Sequence, residues 1–455
     1  MAARSESKLN ALREELGPKA VGTPVIVADS FDEEALRALC GRTQVVISTV
    51  GPYALYGDLL IKICAELGTD YCDLTGEAQW IRRIISEHET TAQVSGARIV
   101  NCCGFDSIPS ALGVKFLQDL AQEHFGAYCK HVKMRVKGTK GGASGGTIAS
   151  AINLFQEAAK DSSLRQELKD PYSICPEGHH FKARQKTIAA EYDEDFNSWT
   201  GPFLMAAINQ RVVLRTNALL SPSYDANFTY DEGTFTGDGR SGEKRAKRLS
   251  TVTRIGMICL ALPPVRWLAT RFFLPKPGEG PSPEQQDKGF FDLRFFGSND
   301  RGGNIMVKVT GDKDPGYGAT AKMLAQAGIS LCRDADAGPL PGGFWTPAST
   351  TSRVSSRTPT PAFSLRPARQ CGAGCWPTSP APGLSSTCSG ACGLPSTSFG
   401  RTSSPSARTG RPTCSASPLR APNYFLGYPA RPHIRSHRRR SHGLGQQVAK
   451  AGGPQ

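Results

Sequence analysis

The chain has 455 residues, with 54 Lys and Arg against 40 Asp and Glu, for a net charge of +14. All 40 acidic residues lie in residues 1–336, where an equal number of basic residues balances them. The whole excess comes from 13 Arg and one Lys after residue 336. A uniformly basic surface of the kind that binds nucleic acid is therefore excluded for the first 336 residues, and no nucleic-acid partner is expected.

The length allows two to three domains of roughly 150 residues each. No run of apolar residues is long enough to indicate a transmembrane helix. The N-terminal residues are polar and charged, which is not typical of a secretory signal. The 14 cysteines form no small-domain framework, so we expect reduced thiols in a cytoplasmic protein that is not secreted.

Helical and strand patterns alternate over the first 110 residues. Strands are predicted at Pro24–Ala28, Gln44–Val50, Asp70–Leu74 and Ala97–Cys102. Helices are predicted at Ser7–Leu16, Phe31–Cys40, Leu59–Leu67 and Gln79–Ala92. This alternation predicts right-handed βαβ units and an α/β fold with a parallel sheet. The strand runs are continuously apolar, which is typical of strands covered on both faces.

Ligands of open parallel sheets bind beyond the carboxyl ends of the strands. The residues that follow the predicted strands are Asp29–Ser30, Thr49–Tyr53, Asp73–Glu77 and Cys103–Asp106. We expect these segments to meet at one edge. Gly51 and Pro52 are open to a second interpretation, as turn residues without a binding role.

Several motifs in the chain together resemble the saccharopine dehydrogenase-like oxidoreductases, a family that includes the bacterial trans-acting enoyl reductases. They are Val46–Gly57, Cys64–Glu77, Cys103–Pro109, Leu274–Gln285, Gly311–Tyr317 and Gly342–Pro347. The resemblance extends over about residues 2–349. It implies an NAD(P)-binding Rossmann domain over residues 1–110 and an α+β substrate domain over residues 111–349.

The chain departs from the family pattern at its start. Met1–Leu9 resembles the end of the family's second strand, and the first strand and its Gly-rich phosphate loop are not present. We therefore expect an incomplete Rossmann-type sheet with an unpaired inner edge. Two interpretations stay open: an incomplete sequence, or a shortened protein that no longer binds cofactor.

The resemblance places Arg4 and Ser5 at the adenosine ribose, where Arg favours a 2′-phosphate and hence NADP, with NAD as the other possibility. The alternative for Arg4 is an exposed terminal charge. The predicted cofactor-binding residues are Arg4, Ser5, Asp29, Thr49, Val50, Gly51, Pro52 and Tyr53.

Catalytic residues are not assigned from the sequence. Tyr53, Glu77 and Asp106 are candidates for the cleft, but no nucleophile–base pair stands out and no proton donor is identified. No metal site is predicted, because none of the eight His lies at a metal-ligand spacing from Cys or carboxylates.

The second domain is predicted to be α+β. Lys130–Val136 alternates as a half-exposed strand and leads through a Gly-rich turn, residues 140–147, into a helix over Ile148–Ala159. That turn could offer free N–H groups to an anionic ligand or be only a flexible connection. Phe290–Phe296 and Ile305–Val309 are predicted to pair as a hairpin.

Residues 254–273 form an apolar segment with three arginines and two adjacent prolines. Its composition cannot span a bilayer. We expect either an interfacial segment on a peripheral intracellular membrane or lipid droplet, or a helix packed on the core or on a dimer surface. The sequence does not indicate the oligomeric state.

Residues 350–455 are rich in Ser, Pro, Arg and Gly and contain no acidic residue. They are predicted to be a disordered tail, because they cannot bury enough apolar surface to offset the entropy of ordering. Two interpretations are open: a basic arm over Arg435–Arg440, or out-of-frame translation unrelated to the fold.

The sequence favours an NADP-dependent oxidoreductase of the saccharopine dehydrogenase-like or enoyl reductase type, acting on a lipid-linked or other unsaturated small-molecule substrate. The alternative is a non-catalytic membrane- or lipid-associated protein that retains the fold.

Overall fold

The computed structural model describes residues 1–142, 145–272, 280–334, 340–350 and 363–367, with the backbone alone for residues 270 and 334. The strands within these ranges are β1 (Ala2–Ala3), β2 (Ile26–Val27), β3 (Val45–Ser48), β4 (Asp70–Asp73), β5 (Arg98–Val100), β6 (His131–Lys140), β7 (Glu191–Asp193), β8 (Ser198–Pro202), β9 (Thr229–Gly237), β10 (Phe290–Ser298), β11 (Asn304–Gly311), β12 (Gly343–Trp345) and β13 (Ser364–Pro367). The helices are α1 (Glu6–Glu15), α2 (Glu33–Cys40), α3 (Tyr53–Tyr56), α4 (Asp58–Leu67), α5 (Ala78–Ser95), α6 (Ile108–Phe125), α7 (Gly145–Lys160), α8 (Ser162–Glu167), α9 (Ala206–Leu219), α10 (Gly239–Ala261), α11 (Pro263–Phe272), α12 (Pro283–Asp287), α13 (Thr320–Asp334) and α14 (Pro347–Thr350).

A four-stranded parallel sheet with the order β12-β5-β4-β3 forms the first layer. Successive residues of each strand point to opposite faces. One row, with Val46, Tyr71 and Ile99, packs in the core formed with α4 and α5. The opposite row, with Cys72 and Val100, joins the core shared with α13 and the second domain. The sheet is therefore covered on both faces, and the predicted Rossmann-type α/β fold is confirmed.

Among the described residues β3 pairs on one side only, with β4, so the inner edge of this sheet is open, as the sequence predicts. β1 and β2 pair only with each other and form a separate parallel sheet among the described residues. Side chains beside this edge stay about half exposed, for example Ile47 at 46% and Val50 at 48%. The incomplete Rossmann-type sheet is confirmed.

The second layer is a mixed seven-stranded sheet with the order β13-β11-β10-β6-β9-β8-β7. β10 and β11 form the predicted hairpin, from Phe291 opposite Gly311 to Ser298 opposite Asn304. The predicted strand at 130–136 is the start of β6, which pairs in parallel with β9. Helix α6 packs on this sheet at Gly113, where a Cβ would lie only 2.4 Å from Phe295 Cζ.

Strand β12 returns to the parallel sheet after the second domain, beside β5, a placement that the sequence did not predict. Two buried arginines stabilise this return. Arg98 pairs with Asp70 and donates to the Leu331 carbonyl (2.6 Å). Arg215 of α9 donates to the carbonyls of Ile174 (2.5 Å) and Phe344 (2.7 Å). The two sheets also share a core, because Val100 of the first sheet and Phe295 of the second lie in the same hydrophobic cluster.

The predicted disordered tail lies outside the described residues except at 350 and 363–367, where the prediction is wrong. Ser364–Pro367 forms the edge strand β13, antiparallel to β11. Phe363 is buried and Leu365 packs on the same core, so this segment buries apolar surface that composition alone does not reveal.

No single helix in the described ranges has the length and hydropathy needed to cross a membrane. Helix α10 and residues Pro263–Ala269 of α11 reach the necessary length and hydropathy only when they are taken together, and the two helices meet at a bend of 104°.

Candidate active site

The predicted strand-end segments meet at the carboxyl edge of β3, β4 and β5. Because the three strands are parallel and adjacent, the loops that leave them lie side by side. The loops carry three acidic side chains that lie in different surroundings, Asp73, Glu77 and Asp106. Their partners decide what each can do.

Glu77 is a buried connector between the two domains. Its carboxylate accepts hydrogen bonds from the backbone N–H of Tyr53 (2.7 Å) and Ala54 (3.0 Å). The Ser150 hydroxyl on α7 donates to the same carboxylate (2.8 Å). These bonds hold the Gly51–Pro52 turn and α7 together, so Glu77 has a structural role at the edge of the cleft.

Asp73 is also committed to structure. It accepts hydrogen bonds from Asn101 Nδ2 (2.8 Å) and from the backbone N–H groups of Thr75 (3.1 Å) and Cys102 (3.2 Å). Burial raises the pKa of Asp73 to about 6 in spite of these donors. The carboxyl fixes the loop between β5 and α6, where Cys102 has a left-handed backbone conformation (φ 62°).

Asp106 is different, because no described residue hydrogen-bonds to its carboxyl or forms an ion pair with it. The side chain is half-buried, and burial raises its pKa to about 6. Gly76 and Met205 flank it: a Cβ at Gly76 would lie 3.9 Å from Asp106 Oδ2 and 4.0 Å from Met205 Cε. A half-buried acid that no described residue engages, at the carboxyl edge of a parallel sheet, is a typical candidate for proton transfer.

The loop of Asp106 is held in place from the second domain. The Phe105 N–H donates to Thr320 Oγ1 (3.0 Å), and that hydroxyl donates to the Pro315 carbonyl (2.7 Å). The position of the Asp106 carboxyl therefore depends on a residue 215 positions from Phe105 in the chain.

A buried polar network starts at the residue after Asp106. Ser107 donates to Asn209 Oδ1 (3.1 Å), and Asn209 Nδ2 donates to Glu232 Oε2 (2.9 Å). The Tyr230 hydroxyl donates to the other oxygen of Glu232 (2.6 Å). Burial raises the pKa of Glu232 to about 7. Sequence analysis missed this network, because its members come from α6, α9 and β9 and share no local motif.

The predicted adenosine-end residues lie at the carboxyl ends of β1 and β2. Arg4 Nε lies 4.0 Å from Asp29 Oδ2, and both side chains are well exposed. The Ser5 hydroxyl caps helix α1 by accepting the Lys8 N–H (3.4 Å). Arg4 and Asp29 are thus brought together, and both are accessible to a ligand. Their cofactor role stays a prediction.

Residues 49–52, which follow β3, form a loop at the surface that is called the lip below. The fifth predicted residue, Tyr53, anchors this loop. Thr49 and Val50 are exposed, with Gly51 and Pro52 half-buried. Tyr53 is buried, and its hydroxyl donates to the Ser48 carbonyl (3.1 Å). The side chain of Tyr53 therefore supports the lip from below. Whether this segment contacts a cofactor stays a prediction.

The described residues fit the two ends of a dinucleotide better than its centre. Arg4 and Asp29 are exposed and close together, as a predicted ribose site requires, and a role of the lip and Asp106 at the nicotinamide end stays a prediction. In the parts of the chain that the structure describes, no Gly-rich loop opens onto a helix between β1 and β3. The first N–H groups of α3 are already bound to Glu77. The residues that would cradle a pyrophosphate are thus not among those described.

The Gly-rich turn at 140–147 includes residues 143–144, which lie outside the described residues. Gly141 packs closely on Asp314 and Pro315: a Cβ there would lie 2.9 Å and 2.8 Å from their side chains. The described part of the turn therefore packs closely against residues 314–315 within the second domain.

The parallel sheet with acidic loops at its carboxyl edge defines this chain as a Rossmann-type α/β protein. Three mycobacterial relatives are similar over most of its length. A Mycobacterium tuberculosis relative of the trans-acting enoyl reductases is 34% identical over 390 residues, covering 81% of this chain and 90% of the relative. The trans-acting enoyl reductases of Mycobacterium bovis and Mycobacterium leprae are 34% and 32% identical, each covering 77% of this chain and 86% of the relative. The chain belongs to the trans-acting enoyl reductase family of the saccharopine dehydrogenase-like oxidoreductases, which confirms the resemblance found in the sequence.

Among solved structures, an apo saccharopine dehydrogenase from Saccharomyces cerevisiae aligns with a TM-score of 0.42 and 13% identity, covering 76% of this chain and 88% of that chain. An amine dehydrogenase from Mycobacterium smegmatis aligns with a TM-score of 0.35 and 14% identity, covering 77% and 88%. No protein-family model matches the chain.

Proposed function

We propose that the protein is an NADP-dependent oxidoreductase that reduces a carbon–carbon double bond in an unsaturated, lipid-linked substrate. The observation that carries the proposal is the half-buried Asp106 at the carboxyl edge of the parallel sheet, whose carboxyl has no partner among the described residues. The relatives named as enoyl reductases support the reaction class.

Reduction of a conjugated double bond adds a hydride to one carbon and a proton to its neighbour. The nicotinamide, when bound, supplies the hydride and is oxidised. The proton comes from Asp106, whose pKa of about 6 leaves part of the carboxyl protonated near neutral pH. Because Asp106 is only half-buried, solvent can restore its proton after each turnover.

Arg4 supports a preference for NADP. A guanidinium at the end of β1 would face the 2′-phosphate of the adenosine ribose. Asp29 Oδ2 lies 4.0 Å from Arg4 Nε, and a carboxylate there would favour the free ribose hydroxyl of NAD. The two residues therefore favour different cofactors. Arg4→Ala should weaken the binding of NADPH more than that of NADH.

The test is NADPH-dependent reduction of a trans-2-enoyl coenzyme A thioester, followed by loss of NADPH absorbance. Asp106→Asn should lower kcat by about 10²-fold or more, because the proton donor is lost. The wild-type rate should fall as pH rises through about 6, and the variant should lack this limb.

Asp300→Asn, at an exposed carboxylate in the turn before β11, is the matched control and should leave kcat unchanged. An Asp106→Asn protein with the wild-type rate and pH profile would refute the role of Asp106.

One observation favours a second candidate, a non-catalytic lipid-associated protein that retains the fold. The described residues contain no cradle for a pyrophosphate. Titration with NADPH and NADH, followed by cofactor fluorescence, separates the two candidates. Binding of either cofactor supports the oxidoreductase, and absence of binding supports the second candidate.

A further inference from the structure

We propose that α10 and α11 form a docking surface for anionic phospholipid bilayers. The surface comprises residues 250–272 and is called the elbow below, because its two helices meet at an angle of 104°. The inference does not depend on the proposed reaction.

The elbow leaves the body of the protein. The first half of α10 packs on β8, where Ala246 is fully buried and Leu249 meets Gly201. Beyond residue 250, none of the side chains that the structure describes in the elbow is buried. With a rise of about 1.5 Å per residue, the second half of α10 projects roughly 17 Å beyond its packed half.

The projecting part is apolar. The large apolar residues that stay exposed there are Val252, Ile255, Met257, Ile258, Leu262, Val265, Trp267, Leu268 and Phe272, with Trp267 at 64% and Phe272 at 63%. A helix that is apolar and yet uncovered does not suit a surface in water, and a contiguous apolar patch of this kind marks a binding surface.

Cations accompany this apolar surface. The elbow contains three Arg and no acid, and the adjoining residues 239–249 add five Lys and Arg and a single acid, Glu243, whereas residues 1–336 as a whole have no net charge. Of these cations, only Lys247 forms an ion pair with a described carboxylate, that of Glu243 (2.5 Å). Arg245 and Arg266 donate to the backbone carbonyls of Thr236 (2.6 Å) and Leu260 (3.2 Å), which does not neutralise their charge, so these cations can still attract a polyanionic surface.

This combination of charge and apolar residues selects a lipid surface over a second copy of the chain. In a symmetric dimer the same patch would meet itself, which would bring like charges together. Apolar side chains surrounded by Arg and Lys suit the boundary between acyl chains and anionic headgroups.

The aromatic end of the elbow has the geometry of an interfacial anchor. Trp267 and Phe272 pack edge to face with ring centroids 6.4 Å apart. The Arg271 guanidinium lies 5.7 Å from the Phe272 ring centroid. Aromatic rings at the headgroup level with a guanidinium beside them are typical of membrane-interface contacts.

The test is co-sedimentation of the full chain with vesicles of phosphatidylcholine and phosphatidylserine in equal parts, and with pure phosphatidylcholine vesicles. We expect binding to the anionic vesicles that weakens with salt. The double substitution Trp267→Ser and Phe272→Ser should weaken it by about ten-fold or more. Val21→Ser with Val94→Ser, two even more exposed apolar positions elsewhere, is the matched control and should bind as the wild type does.

The Arg-rich C-terminal segment is a second source of positive charge and needs its own variant. Substitution of Arg438, Arg439 and Arg440 by Gln should leave most of the vesicle binding intact. Loss of binding in this variant together with full binding by the Trp267 and Phe272 variant would overturn the proposal. So would failure of the wild type to bind, or an elbow-dependent dimer that does not bind vesicles.

A measurement on the unsubstituted chain guards against effects on folding. Brominated phospholipids in the anionic vesicles should quench part of the tryptophan fluorescence, and Trp267→Phe should remove that part. Quenching that persists in Trp267→Phe would contradict insertion of the elbow.

Discussion

The three acidic residues at the carboxyl edge of the parallel sheet carry the same functional group, but their surroundings give them different roles. Glu77 and Asp73 each accept several hydrogen bonds, so they hold loops in place. Asp106 lies in the same group of loops without a described partner, and burial raises its pKa to about 6. An acid that is not engaged in structure is the one available for proton transfer.

At the same scale, Glu232 makes stability depend on pH. Its pKa is raised to about 7 in the folded protein, against about 4.3 in the unfolded chain. Stability is therefore highest below the unfolded value, declines as pH rises between the two values, and stays reduced above about 7. We expect Glu232→Gln to lose less stability than the wild type on going from about pH 5 to about pH 8, by on the order of 2–3 kcal/mol.

Urea unfolding at the two pH values measures this difference. The stability of each protein at one pH is compared with its own stability at the other. The effect of the Gln side chain on packing does not depend on pH and cancels in this comparison. Equal pH dependence in the two proteins would show that Glu232 titrates normally in the folded state.

At the scale of elements, helix α6 can pack closely on β10 because residue 113 is a glycine. Gly113 faces Phe295 of β10, which is fully buried and cannot move aside. A Cβ at Gly113 would lie 2.4 Å from Phe295 Cζ. Alanine normally stabilises a helix interior relative to glycine, but here the steric overlap should dominate. We expect Gly113→Ala to reduce the free energy of unfolding by about 1–3 kcal/mol.

Gly256 in α10 provides the matched control, since an added Cβ meets nothing within 4 Å. Gly256→Ala should stabilise the protein by about 0.5–1 kcal/mol through helix propensity alone. Urea unfolding of both variants would contradict the packing argument if the two substitutions changed stability in the same direction.

At the scale of the whole molecule, the two sheets are joined by the return of β12 and by Arg215. This buried guanidinium donates to the carbonyls of Ile174 and Phe344, which are far apart in the sequence. Arg215→Met would leave both acceptors unsatisfied and should cost about 3 kcal/mol. Because the core is shared, the loss should shift the unfolding of both sheets together.

Far-ultraviolet circular dichroism and tryptophan fluorescence should therefore give coincident urea midpoints in both the wild type and Arg215→Met. Arg83→Met, which removes a largely exposed ion pair with Asp58, should cost less than about 1 kcal/mol. Separate transitions for the two probes in Arg215→Met would show that the sheets are stabilised independently.

The sequence predicted local elements well, because their signals are local. Helix α4 ends at Gly68, which adopts φ 73°, and β10 and β11 pair as the predicted hairpin. The elements least well predicted are those whose formation depends on distant strands. β12 and β13 each contain three or four residues and exist because β5 and β11 offer open edges.

The sequence by itself determined the alternation of strands and helices, the family, and which loops would meet at the carboxyl edge. It did so because strand period, helix period and turn residues act over a few positions. Only the tertiary structure decided which acid is free for chemistry. Glu77 is engaged by residues 24 and 73 positions away, and Asp106 is desolvated with no partner in the part of the chain that the structure describes. It also decided that the apolar residues of the elbow stay exposed, because periodicity cannot tell whether another part of the chain packs against a helix.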